Sequence, residues 1–94
     1  MVTNEETRAP LFAAVDRRVL VIDDEPNIRR VVKDALRPDV SRVLEARSGS
    51  EALSIAAAER PDLIVLDLGL PDMDGIEVCR QLRGWTSAPI LVLS

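Results

Sequence analysis

The chain has 94 residues, 47% hydrophobic and 30% charged, and a net charge of −4 from 16 acidic and 12 basic side chains. That balance describes one folded domain rather than a disordered or fibrous chain, and it leaves no cationic surplus for neutralising nucleic-acid phosphates, so no DNA contact is expected from this segment. A single cysteine, Cys79, and no histidine exclude an intramolecular disulfide and a thiolate or imidazole zinc site, which suits a cytoplasmic protein; no apolar run reaches the roughly 18 residues of a membrane span.

Residues 1–17 mix polar and charged side chains with the small apolar patch Leu11 to Val15 and hold no sustained period, so they are read as a flexible leader to a domain over 18–94. Val19 to Ile22 is apolar at consecutive positions, the pattern of a strand covered on both faces in a parallel sheet, and it ends on Asp23, Asp24 and Glu25. Pro26 suits the first turn of a helix. On that helix Ile28, Val31, Val32, Ala35 and Leu36 share one stripe expected to be buried, with Arg29, Arg30 and Lys33 on the wet face.

Arg42 to Ala46 reads as a second strand. Ser48 and Glu51 have capping-box spacing, which starts a helix over about 49–59 that Pro61 and Asp62 end. Leu63 to Leu66 is the third strand, again apolar throughout like the first, and it too ends on an acid, Asp67. A loop containing Gly69 and Pro71 follows, then a helix headed by Asp74 and Glu77 with Ile76, Cys79 and Leu82 as its inner stripe. Gly84 and Pro89 lead into a fourth apolar strand, Ile90 to Leu93, which stops at Ser94. Strict strand and helix alternation with right-handed crossovers predicts an open parallel sheet with helices on both faces, ordered 2-1-3-4.

In such sheets the functional crevice lies beyond the carboxyl ends of the strands, where Asp23, Asp24, Asp67 and Ser94 would gather. Two carboxylates at about 4 Å repel by about 4 kcal/mol at an effective dielectric near 20, so three together call for a cation. Oxygen-only ligands favour Mg²⁺ over zinc. A metal there could orient a phosphoryl donor and leave one carboxylate as nucleophile; Asp67, alone at the end of a central strand, is the best placed. Asp74 reads as a helix cap, Gly69 and Pro71 as turn formers, and Cys79 as a core residue.

The segments Val21 to Glu25, Pro61 to Gly75 and Pro89 to Ser94 together resemble the receiver domain of bacterial two-component response regulators, within which the Leu-Asp-Leu-Gly-Leu-Pro-Asp loop is most similar to the Kdp potassium-response, OmpR-like branch. The resemblance implies a flavodoxin-like (CheY-like) fold and a set of roles. Asp67 would be phosphorylated by a sensor histidine kinase; Asp24, Asp67 and the backbone carbonyl of Gly69 would bind Mg²⁺, with Asp23 acting through water; and Ser94 would be the switch hydroxyl. It also implies a fifth strand bearing a lysine, two further helices, a DNA-binding output domain and a homodimer of the full-length protein. None of those further parts falls within the 94 residues, so an excerpt of a longer transcription regulator is expected, or else association through the open edge of the fourth strand.

Two other readings compete. Haloacid-type phosphatases also use a strand-end aspartate and Mg²⁺, but they need a second aspartate where this chain has Gly69. The chain could also be an inert fragment or decoy that binds partners without being phosphorylated. A calcium-loop reading of Asp72 to Gly75 fails, because Leu70 and Gln81 stand where acids are required.

Overall fold

The computed structural model describes residues 17–93; the expected leader, apart from Arg17, and the expected switch residue Ser94 lie outside them. The elements are β1 (Arg18–Ile22), α1 (Pro26–Leu36), a 3₁₀ turn (Arg37–Asp39), β2 (Arg42–Ala46), α2 (Gly49–Glu59), β3 (Leu63–Leu66), α3 (Gly75–Arg83) and β4 (Ile90–Val92). All strand pairs are parallel, in the expected order β2-β1-β3-β4, and this is the flavodoxin-like arrangement that the resemblance implies. No helix among the described residues is long and apolar enough to cross a membrane.

The pleat sorts the consecutive apolar residues onto two faces. Leu20, Ile22, Ile64 and Leu66 point to one side, where Ala52 and Ala56 of α2 and Val78 and Leu82 of α3 close the larger core. Val19, Val21 and Val65 point to the other side, against Val32 and Leu36 of α1.

Two helix stripes differ from expectation. On α1, Val32 and Leu36 pack on the sheet, but Ile28 is 41% and Val31 62% exposed, and Ala35 is exposed as well. Among the described residues α1 is the only helix on its face, and it lies over β1 and β2, so only the flank turned toward those strands is covered. On α3 the buried residues are Gly75, Val78 and Leu82, with Cys79 half-buried in the core and Ile76 59% exposed. Six positions on a helix amount to a rotation of about 120° from perfect overlap, so Ile76 and Leu82 cannot share a face, whereas Val78 and Leu82, one turn apart, do. Trp85, at the end of α3, is half exposed and lies beside Ala57, Arg60 and Thr86.

The helix starts fix the loops around the site. Glu25 caps α1 by accepting from the Asn27 amide, with Pro26 at the first helical position. Ser48 Oγ accepts from Glu51 N, but Glu51 returns its bond to Arg47 N rather than to the cap itself. The first two amides of α2 are taken by a residue distant in sequence: Asp72 accepts from Gly49 N at 2.8 Å and from Ser50 N at 3.0 Å. Those bonds to the charged form hold the Asp72 carboxyl below its usual range. Asp74 caps α3 through Ile76 N.

Candidate functional site

The sheet hydrogen bonds continue one residue past the strands and so deliver the acids to one rim. Asp23 N donates to Ala46 O at 3.0 Å, and Asp67 N donates to Ile22 O at 2.9 Å, which sets Asp23 and Asp67 side by side at the carboxyl ends of adjacent strands. Asp24 follows on the turn into α1. One carboxylate oxygen from each of Asp23, Asp24 and Asp67 lies within 4.8 Å of the others. Asp23 is only 4% exposed, Asp67 is half-buried and Asp24 is exposed. Together with Glu25, Ile28 and Leu93 they line a depression of about 310 Å³. A larger hollow, about 420 Å³ and lined by Val19, Leu36, Val40 and Leu63 among others, opens among the amino-terminal ends of the strands and holds none of the three acids.

Local hydrogen bonds aim the carboxylates. Asp23 Oδ1 accepts from Glu25 N at 2.9 Å, and Asp67 Oδ1 accepts from Gly69 N at 3.2 Å, each bond closing a turn over two residues. Burial raises the Asp23 pKa above 3.8, the Glu25 amide opposes that, and the charges of Asp67 and Asp24 raise it further. A proton and a cation therefore compete for this rim. Three convergent carboxylates with no nitrogen or sulfur donor suit a hard divalent cation, so the donor set fits Mg²⁺.

Of the residues singled out in the sequence, Asp23, Asp24 and Asp67 are brought together, and Gly69 lies on the loop that leaves Asp67. Leu93 N donates to Leu66 O at 2.9 Å, which carries the chain to the same rim at Leu93; Ser94 lies outside the described residues. Two residues beside the site escaped the sequence reading. From the sequence Asp72 reads only as loop, and Arg29 as part of the wet face of α1. In fact the Arg29 side chain is 11% exposed; its Nη1 donates to the Asp23 carbonyl at 2.8 Å and its Nε to Glu45 Oε1 at 3.2 Å. The available signal was Glu45, the one charge within Val43 to Ala46, exposed on β2 and opposite in sign to Arg29.

A sequence profile for the response regulator receiver domain matches residues 19–94. The chain belongs to the response regulator receiver family. Curated relatives include the KDP operon transcriptional regulatory protein KdpE of Escherichia coli, 53% identical over 76 residues, and the response regulator MprA of Mycobacterium tuberculosis, 46% identical over 78 residues. Those matches span 81% and 82% of this chain and 34% of each relative, so the receiver is similar to about one third of each longer regulator. Among solved structures, the chemotaxis response regulator CheY4 of Vibrio cholerae aligns with a TM-score of 0.77 at 33% identity, over 83% of this chain and 68% of that one. The receiver's resemblance to the Kdp, OmpR-like branch agrees with the KdpE relatives.

Proposed function

We propose that this receiver domain accepts a phosphoryl group on Asp67 from the phosphohistidine of a sensor kinase, in a Mg²⁺-dependent transfer. The observation that carries the reading is the convergence of Asp23, Asp24 and Asp67, 44 positions apart at the extremes (67 − 23), within 4.8 Å. Asp24, Asp67 and the Gly69 carbonyl would hold the ion, with Asp23 acting through a water. When bound, Mg²⁺ neutralises charge on the transferring group and orients it. One oxygen of ionised Asp67 attacks phosphorus in line with the donor P–N bond; the acyl-phosphate P–O bond forms as the P–N bond breaks, and the imidazole leaves with that electron pair. Asp67 serves as acceptor, and the chain is a signalling partner rather than a turnover enzyme.

Ser94, which follows Leu93 in the sequence, is assigned the hydroxyl that bonds a phosphoryl oxygen and passes the change on. For the whole protein we assign the output to DNA binding by a further domain of a cytoplasmic, homodimeric regulator; the names of the KdpE relatives, which are transcriptional regulatory proteins, support the transcriptional part of that reading.

The test is incubation of the chain with Mg²⁺ and phosphoramidate, followed by intact-protein mass measurement and hydroxylamine trapping. A single acyl-phosphate that Asp67→Asn abolishes supports the proposal. Turnover of phosphate esters would instead support a haloacid-type phosphatase, and no modification at all would support an inert partner-binding fragment.

A further inference from the structure

Arg29 belongs to none of the roles assigned above, yet its contacts converge on the acidic rim from behind. It lies on α1, a helix with no fully buried residue, but its own side chain is 11% exposed. Its guanidinium spans two elements, donating to the Asp23 carbonyl at 2.8 Å and to Glu45 Oε1 of β2 at 3.2 Å. Lys33 Nζ holds the other Glu45 oxygen at 3.3 Å, so the acceptor that anchors Arg29 is itself fixed. Asp23 is thus tied at its amide by Ala46 O, at its carbonyl by Arg29 and at Oδ1 by the Glu25 amide.

We propose that Arg29 is a positioning residue for divalent-cation binding at this rim: anchored by Glu45 and Lys33, it fixes the turn that presents the Asp23 and Asp24 carboxylates. The inference rests on the Mg²⁺ reading of the site. Two effects of Arg29 oppose each other. Its positive charge near three carboxylates repels a cation, so losing the charge alone would tighten binding; its bond to the turn preorganises the ligands, so losing the bond would weaken binding. Glu45 offsets the Arg29 charge at 3.2 Å, whereas the Arg29 bond to the Asp23 carbonyl at 2.8 Å acts directly on the turn, so the positional effect prevails. Partners behind metal ligands typically change affinity by about 10- to 100-fold when removed.

The experiment is calorimetric titration of the full chain with Mg²⁺ alone, with far-UV circular dichroism confirming the fold of each variant. Arg29→Ala is expected to raise the Kd by about tenfold. Arg29→Lys keeps the charge, but its single ammonium cannot serve both Asp23 and Glu45, so it raises the Kd by a few-fold; Glu45→Ala, which leaves Arg29 unanchored, does the same. If Arg29→Ala fails to fold, the Lys and Glu45 variants carry the test. A lowered Kd in Arg29→Ala with an unchanged Kd in Arg29→Lys would mean that only charge matters and overturns the proposal. Unchanged Kd values in all folded variants overturn it as well. Absence of Mg²⁺ binding by the unaltered chain would overturn the site reading and this inference together, whereas binding that the variants leave untouched sinks the inference alone.

Discussion

Gly69 and Gly75 flank the loop that leaves Asp67, and an added methyl group meets opposite surroundings at the two positions. At Gly75 a Cβ would lie 2.5 Å from Leu68 Cα and 3.0 Å from Leu68 O, so the backbone beside Asp67 would have to move. At Gly69 the nearest neighbour would be 3.9 Å away. Gly75→Ala is therefore expected to destabilise the fold by about 1–3 kcal/mol, the usual range for overpacking, while Gly69→Ala leaves urea unfolding unchanged. Gly69→Ala also retains Mg²⁺ affinity, because only its carbonyl is assigned to the ion. Asp72 controls the same loop from its far end. Its folded pKa lies below 3.8, so the stability it contributes is complete above that value and is lost as pH falls through the folded pKa. Urea midpoints measured from pH 6 down to pH 3 should show a smaller acid-side loss in Asp72→Asn than in the unaltered chain; equal losses would contradict the capping role. Asp23, raised rather than lowered, acts with the opposite sign, because its protonated form is favoured in the fold and its contribution falls as pH rises.

At the scale of elements, the facing of α3 is open to direct test. Val78 and Leu82 are completely buried and Ile76 is 59% exposed. Leu82→Ala is expected to cost about 2–5 kcal/mol and Val78→Ala somewhat less, through lost burial and the cavity left behind. Ile76→Ala should stay within about 0.5 kcal/mol, as surface substitutions do. Chemical denaturation of the three variants checks the order, and a large loss at Ile76 would restore the facing first read from the sequence. The strands were readable because three short apolar runs and the weakly alternating stretch Arg42 to Ala46 each end at a polar residue or a turn former. The bounds of α2 were readable because Ser48 marks its start and Pro61 its end. The stripes of α1 and α3 were harder. Periodicity identifies a helix that has an apolar flank, but which residues are covered depends on the neighbouring element, and on the α1 side of the sheet no second described helix adjoins it. Local pattern also could not reveal that Arg29 folds back onto Asp23 and Glu45, because that contact joins α1, the site turn and β2. The acid cluster, by contrast, followed from strand order alone, since adjacent parallel strands that end on aspartates must bring them together.

For the whole molecule, the uneven covering of the sheet has its own consequence. In the observed order β4 pairs only with β3, so its outer backbone groups face away from the sheet among the described residues. Register pairs Leu91 with Val65, which places Leu91 on the α1 side, and the two are unequal: Val65 is buried and Leu91 is 55% exposed. Ile28 and Leu93, 41% and 43% exposed, line the acidic depression nearby. An unpaired parallel edge next to exposed aliphatic side chains combines directional backbone hydrogen bonds with the burial of apolar surface, the two contributions that drive edge-to-edge association. Sedimentation of the 94-residue chain is therefore expected to show mass increasing with concentration. Leu91→Lys places a charge beside the open edge without removing a buried group, so it should shift the chain toward monomer and leave its circular dichroism unchanged. If association is equal in Leu91→Lys and the unaltered chain, it runs through another surface. A dispersed monomer at every concentration would show that the open edge of β4 and the exposed Leu91 beside it do not drive association.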